Sequence, residues 1–432
     1  MTVRTLTRVG ALIAGLALAS PALAQAPAPA IDHAHTAWIL SATALVLFMT
    51  LPGLALFYAG LVRSKNVLSV MTHCVAIACL ASVLWLLGVY SLAFSGTGPL
   101  IGDLAKFGLI SVGRDAVTGV LPESVFFAFQ MTFAIITPAL IVGAFVERIK
   151  FSSVLLFSGL WLIVVYAPVA HWVWGGGWLA QMHVMDYAGG LVVHATAGVS
   201  ALLIAWRLGP RDGFPRDLSP PHNPGMTMMG AGMLWVGWYG FNAGSALAAD
   251  GNAGAALIAT HLSAATAGLV WAAIEWKRFG RPSMVGLVTG VVAGLATVTP
   301  ASGFVGPLGG VVLGAAGSLI CYQAVDLVKH RMKIDDSLDV FAVHGVGGIL
   351  GTLLVAVLAA TGLGGAGYAE GVSMGSQAMT QVLGVLAVCA WSGIATLVLV
   401  FVVRRTVGLR ASDDAVDEGL DMSAHGERAY NP

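Results

Sequence analysis

Apolar runs of about 20 residues follow one another along the chain almost without linkers, each long enough to cross the ~30 Å hydrocarbon layer of a bilayer. They fall at residues 36–62, 67–94, 122–147, 152–171, 187–206, 225–248, 253–276, 284–299, 304–328, 338–361 and 377–403. Gly and Pro punctuate the windows, so hydropathy places their centres better than their ends. The pattern predicts an all-α integral membrane protein of eleven transmembrane helices.

Composition agrees: 57% of the 432 residues are apolar, 10% are charged, and glycine reaches 55. A soluble chain of this length would carry a charged surface over two or three domains. The first segment differs from the spans. Arg4 and Arg8 precede the short run Val9 to Leu18, and Ala22-Leu23-Ala24 supplies small residues for cleavage. Residues 1–24 read as a signal peptide, with a retained first helix as the alternative. Residues 25–35 then form a short outer segment, 36–405 the pore domain, and 406–432 a cytoplasmic tail.

Basic residues test the count, because Lys and Arg collect in short cytoplasmic loops. With the mature N-terminus outside, inner loops and tail hold Arg63, Lys65, Arg148, Lys150, Arg207, Arg211, Arg216, Lys277, Arg278, Arg281, Lys329, Arg331, Lys333, Arg404, Arg405, Arg410 and Arg428. Outer loops hold Lys106 and Arg114. One helix more or fewer would scatter these clusters over both faces.

Two stretches repeat. Ala134-Ile135-Ile136-Thr137-Pro138-Ala139 matches Ala296-Thr297-Val298-Thr299-Pro300-Ala301, each read as Thr-Pro inside a helix. The fifth window runs from Asp186 to His194 and the tenth from Asp336 to His344, with the same eight-residue step. Five-helix units are odd, so the second must be inverted, and a final helix is left over. Along an α-helix that step spans about 12 Å. The two histidines would then approach one depth from opposite faces, where transport sites of inverted repeats lie.

His73, His194, His261 and His344 stand in the windows. His194 and His344 have counterparts in the other half, and ionisable groups at mid-membrane are costly enough to point to function. His73 and His261 read as structural. Asp186 reads as a cap for free backbone N–H groups, with direct cation binding as the sharper alternative. Asp336 and Asp339 read likewise at the other face. Phe129, Phe133, Trp172, Trp174, Trp238, Tyr239 and Phe241 cluster on outer segments. Trp174 beside Gly175-Gly176-Gly177 can present an indole face that attracts cations. Cys74, Cys79, Cys321 and Cys389 read as reduced packing residues, with a Cys74/Cys79 metal site as the alternative. Zinc-protease, intramembrane-protease and phosphate-loop motifs are missing, and no motif calls for a cofactor, a metal or nucleic acid.

From about Thr36 onward the chain resembles the ammonium transporter family. The resemblance rests on Phe129-Gln130 with Phe133, Glu147-Arg148-Ile149, Trp174-Gly175-Gly176-Gly177, Asp186 to His194 and Gly240-Phe241-Asn242-Ala243-Gly244-Ser245. It continues through Asp339-Val340-Phe341 to His344-Gly345-Val346, Gly419-Leu420-Asp421, His425-Gly426-Glu427 and Ala429-Tyr430. It implies an ammonium-transporter fold in a bacterial inner membrane. Phe133, Trp174 and Ser245 would recruit ammonium, Phe133 and Phe241 would act as stacked gates, and His194 and His344 would be the paired pore histidines. Leu54, Tyr58 and Leu234 would form the pore wall, with Asp186 a structural acid near the outer site. The resemblance also implies a homotrimer, a cytoplasmic PII signalling partner, and ammonia or methylammonium as related substrates. Tyr187, where many bacterial relatives have Phe, and Met131-Thr132 depart from the pattern and bear on affinity.

Three functions from different classes follow for comparison: a transporter, an ammonium sensor signalling through its tail, and an intramembrane hydrolase. The missing motifs speak against the last. The tail after Arg410 is 22 residues, enough to bind a partner but not to form a catalytic module.

Overall fold

The computed structural model describes residues 31–430. The expected signal peptide and most of the 25–35 segment lie outside them. The long helices are α1 (His33–Leu61), α2 (Ser64–Phe94), α3 (Glu123–Phe145), α4 (Phe151–Gln181), α5 (Gly190–Leu208), α6 (Pro224–Gly244), α7 (Gly251–Phe279), α8 (Met284–Val298), α9 (Pro307–Arg331), α10 (Phe341–Leu358) and α11 (Met374–Thr406). A helix stands in every apolar window. Among the described residues nine are long and apolar enough to span a bilayer. The others are α8, shorter at 15 residues, and α6, whose apolar character is diluted by glycines and Asn242.

Burial ranks the helices. α3 is apolar nearly all round, and 83% of its most hydrophobic window is buried, against 39% for α7, α9 and α11. A helix hydrophobic on every side belongs in the interior or in lipid, and α3 takes the interior place, packed on α2, α5 and α1. The less buried helices form the rim.

Two expectations about the repeat change. Pro138 does lie inside α3, but α8 ends at Val298, leaving Thr299 as its cap and Pro300 in the following turn. Proline has no N–H to continue the helix. What the two stretches share is a hydroxyl bonding back one turn, Thr137 to Phe133 O and Thr299 to Leu295 O. The acids also lie outside the helices, since α5 begins only at Gly190 and α10 at Phe341. The step from acid to histidine is bent chain followed by a π-helical turn, not a straight α-helix.

Where α5 and α10 cross, glycines face each other. A Cβ on Gly198 would lie 2.2 Å from Gly345 Cα, a separation no side chain can occupy. Close crossings of this kind are how membrane helices gain packing contacts without a hydrophobic driving force.

The basic loops that carry Arg63, Arg148 and Arg211 meet around Asp335. Arg211 grips it with Nε 2.9 Å from Oδ2 and an Nη2 2.9 Å from Oδ1, and its backbone N–H donates to the same carboxylate. Buried Arg148 donates to the carbonyls of Gly209, Val146, Ala144 and Asp335 and to Ser337 Oγ. Glu147 accepts from the backbone and side chain of Arg63. The tail joins this cluster through Ala411 N–H on Arg148 O and Lys150 N–H on Leu409 O. Further on, Asp421 accepts from the N–H groups of Leu68 and Ser69, so a tail carboxylate caps the start of α2.

Burial tends to raise the Asp335 carboxyl, but the hydrogen bonds and charge of Arg211, with Arg148 behind, hold it below the usual carboxylate range. A carboxylate lowered on folding contributes stability above its unfolded pKa and loses it as pH falls through the folded one. The cluster should therefore be insensitive to pH near neutrality and loosen only below about pH 4. Asp335→Ala should cost about 3–5 kcal/mol by removing the carboxylate between buried Arg148 and Arg211, leaving Arg211 with the longer contact to Glu147 at 3.8 Å. Thermal unfolding of the purified variant across pH 3–8 checks both, with the variant expected to lose the wild-type acid transition.

Candidate functional site: a pathway of stacked rings

His194 stands in the π-helical turn Gly190–Ala195 that opens α5. Beginning a helix inside the protein leaves N–H groups without water, and Asp186 supplies their acceptors. Its Oδ1 accepts from Gly189 at 3.0 Å and Gly190 at 2.5 Å, and its Oδ2 from Leu191 at 2.8 Å and Val192 at 3.1 Å. Gly189 makes the bend possible at φ +119°, where a Cβ would also strike Val193. The carboxylate is committed to the backbone, which is the capping reading of this residue.

His344 stands in the matching turn Phe341–Gly345 of α10. Asp336 Oδ2 accepts from Phe341 N–H at 2.7 Å, and Asp339, at φ +62°, pairs with Lys329 at 2.7 Å. π-Helical turns recur at functional sites, and here they carry both histidines. The two Nδ1 atoms lie 3.3 Å apart and the rings overlap at 19°. A hydrogen bond between them needs one nitrogen to donate and the other to accept, so the pair shares one proton. The other nitrogen of His194, Nε2, is buried and has no partner among the described residues.

Above the pair the rings continue. Phe241 is 6.1 Å from His194, Phe133 is 4.4 Å from Phe241 at 31°, and Trp174 meets Phe133 edge-on at 5.6 Å. Trp174 is oriented by its indole N–H, which donates to Asp186 O at 2.8 Å. Beyond the phenylalanines lies a cavity of about 280 Å³ lined by Phe133, Trp174, Ser245, Gln130, Tyr187 and neighbours. Ser245 Oγ donates to Phe241 O, leaving its lone pairs free. On the far side of His344 a second cavity of about 220 Å³ is lined by Tyr58, Asp339, Lys329 and Val343. Between the cavities, Leu54, Leu234, Trp238, His194 and His344 enclose only about 10 Å³. That is about the room for one water.

The expected residues therefore assemble, with adjustments. Leu54 and Leu234 line the narrow middle, whereas Tyr58 lies at the basic end, its hydroxyl on Leu140 O. Trp238, expected among the outer aromatics, instead stacks on His194 at 5.5 Å and 22°, its N–H on Thr299 Oγ1. Trp172 points away, against Trp178 and Trp391. Tyr239 bonds His261 on an exposed face, and His73 packs on Phe151 and His425, away from the pathway. Sequence reasoning passed over the lining role of Gln130 and the stacking role of Trp238. They stand three residues before Phe133 and Phe241 respectively, each on the same helix face, a spacing that could have marked them.

A bundle of membrane helices with a cavity toward each end and a small apolar pocket between them is an architecture fit for moving small solutes across a membrane. The chain belongs to the Ammonium Transporter Family, whose model matches residues 37–430. An ammonium transporter of Aquifex aeolicus is 45% identical over 410 residues, covering 93% of this chain and 94% of its own length. The crystal structure of Candida albicans Mep2 superposes with TM-score 0.84 at 35% identity, covering 93% of each chain. A structure described as "Sensor Amt Protein" superposes with TM-score 0.85 at 28% identity, covering 91% of this chain and 98% of that one. The fold is that of these transporters, and ammonium transport is the function the family supports.

Asp186→Asn tests the cap. It keeps the shape but turns an amide donor toward two of the four N–H groups, and uptake of labelled methylammonium into proteoliposomes should slow by about tenfold or more, since each unsatisfied buried donor costs about 1–3 kcal/mol.

Proposed function

We propose that this protein recruits ammonium at the Trp174 cavity, strips it of a proton and conducts ammonia past the gates and the histidine pair to the basic end. The observation that carries the reading is the unbroken run of rings from Trp174 through Phe133 and Phe241 to His194 and His344, ending at an apolar pocket with room for about one water. Indole and phenyl faces attract a cation in the wide cavity. An apolar constriction then disfavours the charged form of a titrating amine. Ammonium can answer by losing its proton, whereas potassium has no neutral form and meets no carbonyl cage. The histidine pair offers ammonia a donor or acceptor and can hold the departing proton.

The rest of the reading follows from this polarity. All eleven helices span the bacterial inner membrane, residues 1–24 are removed as a signal peptide, the mature N-terminus is outside, and the basic end with the tail is cytoplasmic. The chain works as a homotrimer. In support, His261 is exposed on α7 with Tyr239 as its only hydrogen-bond partner among the described residues, and a second copy would cover an imidazole that is costly in lipid. A PII signalling protein is the partner proposed for the basic end. Sensing is the second reading, favoured by the likeness to the structure described as a sensor. It predicts ammonium-dependent partner binding without net uptake.

Two experiments on purified protein test the proposal. Trp174→Leu should raise the half-saturating ammonium concentration about tenfold while leaving the pore intact, and unchanged kinetics and selectivity in proteoliposomes would count against the recruitment site; the magnitude follows from a desolvated cation–ring attraction of about 2 kcal/mol or less. His194→Leu combined with His344→Leu should abolish the current that an ammonium pulse evokes on a solid-supported membrane. A double variant carrying full current would remove the relay from the mechanism.

A further inference from the structure

The cavity at the Trp174 end contains one polar side chain to which recruitment has given no work. Gln130 lies on α3 three residues before Phe133, hence on the same face, and lines the cavity with Phe133, Trp174, Tyr187 and Ser245. It is only 7% exposed, and its Oε1 is buried with no hydrogen-bond partner among the described residues. An amide left in that state is costly in a buried setting, where a leucine would fill similar space without penalty. Such a group calls for a ligand.

The commitments of its neighbours indicate which ligand. The indole N–H of Trp174 is held by Asp186 O, and both Asp186 carboxylate oxygens are held by backbone N–H groups. The Ser245 hydroxyl hydrogen is held by Phe241 O. Two neutral oxygen acceptors therefore stay uncommitted, Ser245 Oγ and Gln130 Oε1. A small cation with several N–H donors satisfies both. Oε1 is itself buried beside the cavity wall, and because the terminal torsion of glutamine is broad and nearly two-fold, a half-turn that exchanges it with the amide nitrogen brings the oxygen to the cavity without changing the side chain's shape.

We propose that Gln130 is a specificity residue of the recruitment site, its amide oxygen accepting one N–H of the ammonium ion while Ser245 Oγ accepts another. This rests on the recruitment reading above and extends it. Ring faces attract any small cation, but directional acceptors favour one whose charge is carried on N–H groups. Ammonium presents an N–H in every tetrahedral direction, whereas methylammonium meets two acceptors only with its methyl turned away from both, so a second directional acceptor favours ammonium and its loss costs methylammonium less.

The test measures solid-supported-membrane currents from ammonium and methylammonium pulses on the full protein and on Gln130→Leu, Gln130→Met, Gln130→Glu and Trp174→Leu. Losing one acceptor should raise the half-saturating ammonium concentration about tenfold in Gln130→Leu, the equivalent of about 1.4 kcal/mol. The methylammonium value should move by less, and maximal current should hold. Gln130→Glu keeps the acceptor and should stay at or below the wild-type value. The proposal is overturned if Gln130→Leu shifts neither substrate, shifts both equally, or is matched by Gln130→Glu. Gln130→Met serves if the leucine variant fails to assemble, and failure of both would make the amide structural and equally overturn it. If Trp174→Leu shifts affinity and Gln130→Leu does not, only this assignment falls. If neither shifts it, the recruitment reading falls with it.

Discussion

The stack of rings depends on two helices that begin inside the protein rather than at its surface. An interior start strands backbone N–H groups where no water can reach them, and in a bilayer such backbone survives only where the protein itself supplies acceptors. Asp186 does so for four consecutive N–H groups, and with its two oxygens occupied it fixes the first turn of α5. Since the Trp174 indole hangs from the carbonyl of the same residue, one aspartate sets both the depth of His194 and the tilt of the ring at the mouth. The Gly198 and Gly345 crossing then brings α10 close enough for the two Nδ1 atoms to meet at 3.3 Å.

The matching start of α10 is built differently. Asp336 holds Phe341 N–H, and its neighbour Asp335 is bound into the Arg148 and Arg211 cluster. Arg148 in turn accepts the tail through its carbonyl. The histidine nearer the basic end is thus connected through a few hydrogen bonds to the segment that caps α2 with Asp421. The start of α5 is anchored within the bundle, whereas that of α10 is anchored to loops and tail. In a protein with pseudo-symmetric halves, this difference ties the start of α10, but not that of α5, to the arrangement of the loops and tail.

Much of this was legible in the chain. Apolar windows marked each helix, basic clusters grouped the loops now found around Asp335, and the equal spacing from Asp186 and Asp336 singled out His194 and His344 as a pair. The resemblance to ammonium transporters then named Phe133, Trp174, Phe241 and Ser245. The Thr-Pro match was real but misread, because Pro138 sits inside a continuous helix whereas Pro300 follows the end of one. The eight-residue step likewise hid a bend at Gly189 and a π-helical turn, neither of which leaves a periodic trace.

By itself the sequence determined where apolar chain is long enough to enter a membrane, which loops share charge, and which ionisable residues are too costly at depth to be incidental. These are properties of composition in a window, and the transfer free energies behind them add along one dimension. Only the tertiary structure decided that rings from five different helices form one continuous stack, that Trp238 backs His194, that Tyr58 lies on the far side of His344, and that Gln130 lines the Trp174 cavity with its Oε1 unpartnered among the described residues. Each of those facts depends on how far one helix is rotated and shifted against another. Close packing of rings and glycines sets that rotation, and no local spacing encodes it.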